Sequence, residues 1–567
     1  MTPPPALAAL RASSLGRAAR RRWAGWGSVH LQKVVLLGLA GSALLALGSL
    51  GAGAPPVYDP VRRTPVIAVL RGEVGERAAL LFVYVGLAVL GMAWLYLGRA
   101  LRRGEEGTDT GRLLRIAALW GTPLVFCVPL FSRDLYAYAA QAQIAHAGLD
   151  PYSVGPVSLP GPFLDEISGM WVDTPAPYGP LWLGLGRALA TVTGDRVVTT
   201  VFAMRLLAVV GVLLTAKYLP RLARAAGGDP RTAVWLGVAN PLVLVHLVAG
   251  GHNDALMIGL LIAGLTIAIE ATEERWVALG VVLCSAAVLV KAPAGIAVVF
   301  LAWVWAKRLT GRWALVGACL RTGAVGLATI AVLTGVTGLG FGWIHQLNAS
   351  GQVITWVSLP TGLAMIVEVV RGIPNFVTYQ DPVIAGFRLA GQVATALVLL
   401  RLWFRAGRDG WVRAAGLSLL VVVFLGPVVQ PWYVLWGLTV LAATRIGRRT
   451  WLLAAGGSFW LSMMIAPQGS NLFLEIGPVI AMGLAAVAAT AAVLGRSPAE
   501  TPFAPPSGAG PSGAGPSGAS ASGASASGAG PSGAGPSGAG PSAAGAAGEP
   551  VPALAAPVAA SRSWEAR

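Results

Sequence analysis

Fourteen stretches of this chain are apolar and almost free of charge, and a chain so built cannot fold in water alone. They fall near 31–51, 78–98, 113–131, 198–219, 233–250, 255–270, 276–291, 294–306, 314–338, 384–404, 414–429, 434–443, 450–466 and 475–494. A helix that crosses the bilayer core needs about 20 apolar residues, and only a helix or a closed barrel satisfies its own backbone there. The pattern predicts an all-α, polytopic transmembrane helical bundle with about fourteen spanning helices. The runs at 294–306 and 434–443 are short and read as tilted or broken spans. Two further apolar stretches, 180–193 and 356–371, would upset the alternation of sides. They read as re-entrant or interfacial helices that line a protein cavity. Composition agrees: 11% of residues are charged, less than half the ~25% of a soluble domain.

The net charge of +17 would suit nucleic acid, but its distribution excludes that partner. Basic residues recur at the ends of apolar runs, as at Arg20, Arg21 and Arg22, at Arg99, Arg102 and Arg103, and at Lys307, Arg308 and Arg312. That is the positive-inside pattern of a membrane protein. With a cytoplasmic N-terminus, fourteen crossings also put Arg102–Arg115, Arg221–Arg231, Arg401–Arg413, Arg445–Arg449 and Arg496 inside. The reading is therefore a multi-pass plasma-membrane protein with both termini cytoplasmic. It has a basic N-terminal segment over 1–30, whose following apolar run is an uncleaved first span, and a helical domain over 31–496. The segment 497–567 repeats Ser-Gly-Ala-Gly-Pro, as in Ser507–Pro511. It lacks the apolar surface to offset backbone entropy and reads as a disordered cytoplasmic tail. Cys127, Cys284 and Cys319 lie in apolar runs, which argues against a disulfide framework.

The outer face carries the residues suited to chemistry. The segment 132–197 exceeds the ~12–15 residues of an ordinary loop and holds Tyr136, Tyr138, Tyr152, Trp171, Tyr178 and Trp182. In Phe131-Ser-Arg-Asp-Leu-Tyr-Ala-Tyr138, Ser132 caps a helix that Arg133 opens and that runs to about His146. Asp134, Tyr138 and Gln141 then share a face. Asp134 could serve as general base toward a hydroxyl, or simply complement the helix dipole. Gly148-Leu-Asp-Pro-Tyr152, with Asp150, and Pro175-Ala-Pro-Tyr178-Gly-Pro-Leu-Trp182 combine turns with aromatics, which suit sugar stacking or an interfacial belt. In Gly250-Gly-His-Asn-Asp254, capping accounts for Asn253 or Asp254 but not for His252. Lys291, one of four lysines, is embedded between apolar segments. Such a charge is a functional candidate by default, and its partner would be an anion such as a lipid phosphate. Arg205 and Arg388, in the outer halves of their runs, are similar. Gln430-Pro-Trp432-Tyr could line a cavity or anchor the bundle. No phosphate loop, His-Glu-x-x-His or Gly-x-Ser-x-Gly is present, so an enzyme of this kind would use a membrane-soluble donor.

Together these segments, Ser132–Ala139, Gly148–Tyr152, Pro175–Trp182, Gly250–Ala255 and Gln430–Tyr433, resemble the actinobacterial MptB family in the same order over about residues 30–495. The family comprises polyprenol-phosphomannose-dependent alpha-1,6-mannosyltransferases of GT-C membrane architecture. The resemblance implies mannose transfer from polyprenyl-phosphate-mannose to a growing mannan on a lipid anchor outside the membrane, in lipomannan and lipoarabinomannan assembly. It implies an inverting displacement with Asp134 as base, the donor phosphate met by Lys291, Arg205 and Arg388. Substrate contacts are then expected from Arg133, Tyr138, Asp150, Tyr152, Tyr178, His252, Asp254, Gln430 and Trp432. No cofactor or metal is obligatory, and a divalent ion stays open. In similar GT-C enzymes the base lies in the first outer loop. Here that loop, 52–77, holds Asp59, Glu73 and Glu76, and the matching motif follows in the second, as an additional N-terminal helix pair would produce. Two alternatives stand beside this reading: a transferase of another polyprenyl-phosphate sugar such as arabinofuranose, and a lipid-linked sugar flippase.

Overall fold

Proline and polar residues decide how the apolar runs fold. In the computed structural model, which describes residues 28–57, 64–194, 196–372, 381–469 and 476–495, all fourteen runs are helical over most of their length. Among the described residues six helices are long and apolar enough to cross a membrane: His30–Ala52, Glu73–Arg102, Val197–Ala225, Ala314–Thr337, Pro382–Asp409 and Gly477–Leu494. A seventh span results if the bent pair Val243–Ala249 and Asp254–Glu270 counts as one. The remaining runs make shorter pieces. Asn240 and Pro241 separate Pro230–Gly237 from Val243–Ala249, and the Asn240 side chain accepts the Leu242 N–H at 2.9 Å. Pro293 divides Glu274–Val288 from a run of short turns to Ala306. Gly426 and Pro427 end Trp411–Leu425 ahead of Val434–Ala442. Each is a place where the ring removes a backbone donor and obstructs the preceding turn. The stretches at 180–193 and 356–371 become Pro180–Thr193 and Leu359–Val370, of 14 and 12 residues, too short for a straight crossing.

Hydrogen bonds between helix ends sort into two sets. At one end Arg102 donates to Leu494 O, Arg448 to Gly495 O, Arg413 to Arg445 O, Arg445 to Gly227 O and Arg308 to Ala271 O. At the other, Ala54 N–H donates to Pro129 O, Phe131 N–H to Pro467 O, Leu181 N–H to Leu289 O and the Gln346 amide to Tyr152 O. The first set is the arginine-rich one. Between them the core is aromatic. Trp235 stacks on Trp94 at 4.4 Å and on Trp451 at 4.6 Å. The indole N–H groups of Trp94 and Trp235 donate to each other's carbonyls, both at 2.9 Å, so the polar edge of each ring is satisfied where no water reaches it. The N-terminal segment to residue 27, Asp59, Arg496 and the repeat tail lie outside the described residues.

Candidate active site

The site is built around two breaks in the backbone. Phe131 holds φ at 63°, the left-handed region, which costs a bulky residue energy and is maintained only by its surroundings. Its N–H donates to Pro467 O at 2.9 Å. This turn lets the Ser132 hydroxyl accept the Asp134 N–H at 3.0 Å, and the helix runs Asp134–His146, one residue later than the sequence suggests. Asp134 thus opens the helix, its carboxylate 26% exposed.

The second break bends Val243–Ala249 from Asp254–Glu270 by 112°. Gly251 makes the corner with φ +64°, and a Cβ there would lie 2.7 Å from Leu135. The corner points His252, Asn253 and Asp254 at the helix that begins at Asp134. His252 is fully buried. Its Nδ1 lies 2.7 Å from His246 O, so Nδ1 carries the proton and donates. Nε2 has no hydrogen-bond partner among the described residues and lies 3.6 Å from Asp134 Oδ2. The Trp432 ring stacks on the imidazole at 3.7 Å. The Tyr138 hydroxyl donates to Asp134 Oδ2 at 3.4 Å or to Asn253 Oδ1 at 3.3 Å.

Lys291 reaches the same place from the end of Glu274–Val288. Its Nζ donates to Asp254 Oδ2 at 2.8 Å; the ammonium is 12% exposed and the carboxylate is buried. Trp436 Nε1 donates to the other oxygen of Asp254 at 2.6 Å. Tyr433, Trp436 and Tyr178 surround the ammonium at 4.6, 5.7 and 5.8 Å from their ring centres, within cation–π range. Tyr178 arrives because the Pro-Tyr-Gly-Pro turn is docked on Leu289: Leu181 and Trp182 both donate to its carbonyl, at 3.1 and 3.2 Å. Burial, then the Asp134 carboxylate, Tyr433 and Asp254, push the Tyr178 phenol well above its ordinary range. Burial does the same to Tyr138, with Tyr178, Asp134 and Asp254 adding to it. Both remain neutral hydroxyls that can donate.

Asp134, Tyr138, Tyr178, His252, Asp254, Lys291 and Trp432 therefore converge on one chamber, and other sequence candidates stand elsewhere. Arg133 pairs with the buried Glu166 at 3.3 Å and donates to its carbonyl at 3.0 Å. Arg205 is buried, and its guanidinium donates to the carbonyls of Val125, Cys127 and Ala249. Arg388 likewise donates to Gly351 O, Val353 O and the Thr361 hydroxyl. Asp150 accepts from Tyr152 N–H and the Ser153 hydroxyl within its own turn. Tyr152 is buried against the Gly342–Gln352 segment, its hydroxyl without a hydrogen-bond partner. The Gln430 side-chain carbonyl and Trp432 Nε1 are also buried without one. Sequence reading missed Asn253, Tyr433, Trp436 and Glu166 as partners. Trp436 had a signal, standing three and four residues after Tyr433 and Trp432 on one helical face; Glu166, in an irregular loop, had none. Among the described residues no three His, Cys, Asp or Glu side chains gather to hold a metal. A separate cavity of about 780 Å³ is lined among others by Asp173, Thr174, His345, Gln352, Gln392 and Pro427.

Residues 35–307 match the N-terminal domain of the MptA_B family, alpha-(1->6)-mannopyranosyltransferase, and residues 360–495 match the MptB C-terminal domain. The chain belongs to this family and is a membrane mannosyltransferase. Among its relatives, alpha-(1->6)-mannopyranosyltransferase A of Mycobacterium tuberculosis is 38% identical over 77% of this chain and 84% of that protein. Alpha-(1->6)-mannopyranosyltransferases A and B of Corynebacterium glutamicum are 31% and 29% identical, over 82% and 79% of this chain and 99% and 78% of theirs. A solved structure, the archaeal oligosaccharyltransferase AglB from Archaeoglobus fulgidus with an inhibitory peptide and a dolichol-phosphate, covers 68% of this chain and 55% of its own at a TM-score of 0.29 and 13% identity, a likeness too slight to define a fold.

Proposed function

We propose that the enzyme transfers mannose from polyprenyl-phosphate-mannose to the 6-hydroxyl of a lipid-anchored α-1,6-mannan, at the outer face of the plasma membrane and within a GT-C architecture of about fourteen crossings. The observation that carries this reading is the placement of Asp134. It is a part-exposed carboxylate at a helix start, facing the unpartnered Nε2 of His252 and sharing its chamber with the embedded Lys291.

In the reaction the acceptor O6–H gives its proton to Asp134. The oxygen forms the new bond at the anomeric carbon from the face opposite the leaving group. The carbon–oxygen bond to phosphate breaks, and its electron pair departs with polyprenyl phosphate, inverting the centre. Lys291 has three N–H donors, of which Asp254 takes one, and the others face the phosphate. Charge that develops on the leaving group meets a fixed cation in a site with little water, where electrostatic stabilisation is strongest. The proton received by Asp134 lies between its Oδ2 and His252 Nε2. Two acceptors that repel one another in the resting site thereby become a hydrogen-bonded pair as the transfer proceeds, an interaction of the kind that lowers a barrier. Tyr138, Tyr178 and Trp432 frame the sugar. Arg205 and Arg388, committed to backbone carbonyls, act on the fold rather than on the phosphate. The same holds for Arg133 and Asp150 within their loop.

The test uses the purified full chain in lipid nanodiscs with radiolabelled polyprenyl-phosphate-mannose and an α-1,6-linked mannoside acceptor. The expected result is a longer mannoside linked through O6. Movement of the donor across a vesicle bilayer without transfer would make the protein a flippase, and transfer of arabinofuranose in place of mannose would replace the donor. No step is given to a metal, so the rate is expected to survive EDTA; loss that Mg²⁺ restores would bring an ion into the site.

A further inference from the structure

The cavity of about 780 Å³ is not the chamber, for neither Asp134 nor Lys291 lines it. Two of its lining segments lead along the chain into chamber residues. Thr174 and Pro175 precede Tyr178 by a few residues, and Pro427 precedes Trp432. Its other walls are the Gly342–Gln352 segment and the face of Pro382–Asp409 that carries Arg388 and Gln392 one turn apart. Gln392 stands ten residues into an apolar span, about 15 Å along its axis. There an exposed amide is unfavourable unless it faces water or a polar ligand. The cavity therefore carries a polar surface down beside the helix.

Its lining also identifies what it takes. Asp173, His345, Gln352 and Gln392 are exposed to it and present amides and an imidazole, which donate and accept, and a carboxylate, which accepts. Three of the five N–H donors of the one guanidinium, Arg388, are taken by protein oxygens, and the Asp173 carboxylate on the same lining offsets its charge, so the walls carry no net cationic charge to select an anion. Polar walls of this composition suit a neutral polyhydroxylated chain, and the volume lies within the ~300–1,000 Å³ of small-ligand sites. We propose that this cavity binds the mannosyl residues of the acceptor that lie behind the one being extended, and so favours longer chains over short ones. The inference rests on the mannan-extending reading above.

The test is binding of soluble α-1,6-mannotetraose to the purified full chain, by saturation-transfer NMR without donor, together with steady-state transfer to acceptors carrying one and four mannoses. The variants are Gln392→Ala and Asp173→Asn, both at exposed positions outside the chamber. The expected result is about tenfold weaker tetraose binding in the double variant, the loss of one or two hydrogen bonds, and a matching rise in KM for the four-mannose acceptor. The kcat and the KM for the one-mannose acceptor stay unchanged. Unchanged tetraose binding and an unchanged KM for the longer acceptor would overturn the proposal. A wild-type enzyme that binds the tetraose yet transfers no mannose would leave the cavity assigned and remove the donor reading instead.

Discussion

At the scale of single residues, two carboxylates are held in opposite ways. Asp254 is buried with both oxygens engaged, by Lys291 and by Trp436, whereas Asp134 is part-exposed beside an imidazole nitrogen that does not donate to it. The first arrangement fixes a cation; the second leaves a base free to act. Removing one member of a buried ion pair strands the other, at a cost of about 3–5 kcal/mol. Lys291→Met is therefore expected to lower the melting temperature markedly. Adding Asp254→Asn should recover most of the stability but not transfer. A double variant that melts like wild type and also transfers at its rate would detach Lys291 from the phosphate. His252→Gln tests the shared proton: kcat should fall about 10-fold or more, less than the 10²–10⁴ of a lost general base, while donor and acceptor KM hold. A change confined to KM would make His252 a substrate contact only. His252 and Lys291 stood out in the sequence as polar groups that capping or apolar surroundings do not explain, and Asp134 through its motif, although the helix dipole accounts for it equally well; their meeting in one chamber was not legible. Arg205 and Arg388 were equally conspicuous, yet they serve backbone carbonyls that helix breaks leave without partners, and no spacing rule announces that.

At the scale of elements, the chamber depends on breaks rather than on the helices themselves. The turn at Gly179 lies against the end of Glu274–Val288 so closely that a Cβ would stand 2.3 Å from Leu289 O. Gly179→Ala must push the turn away and carry Tyr178 off Lys291. Transfer is expected to drop at least tenfold, while the Trp94–Trp235–Trp451 stack, remote from the turn, keeps the bundle assembled; size-exclusion elution and melting separate the two effects. Wild-type activity in this variant would show that the docking does not position the site. The helix after Ser132 and the helices at 180–193 and 356–371 could be read from capping residues and apolar length. The turn at Gly250–Gly251 could be read from its glycines, but not its 112° angle, and the left-handed Phe131 could not be read at all, since both depend on tertiary contacts with Leu135 and Pro467 that sequence periodicity does not encode.

At the scale of the whole molecule, fourteen apolar runs are read in the sequence, and the described residues form six or seven helices of full spanning length. Apolar content is local, but whether a run stays straight depends on Asn240, Pro293, Pro427 and the packing around them. What carries through is the sorting of ends, with the arginine-rich ends bonded to one another and the acid-and-aromatic ends likewise. With the arginine-rich set cytoplasmic, a single cysteine placed at Asp165 should react with an impermeant maleimide in intact cells. One placed at Asp409 should react only after permeabilisation. The reverse pattern would turn the active chamber inward and exclude an outer acceptor.

The central claim is that Asp134 is the base of mannosyl transfer. Asp134→Asn, shown by elution and melting to be folded and inserted as wild type, is to be assayed with radiolabelled polyprenyl-phosphate-mannose and an α-1,6-mannoside acceptor. If Asp134 removes the acceptor proton, kcat falls by about 10²–10⁴ with donor binding retained; transfer at the wild-type rate contradicts the assignment.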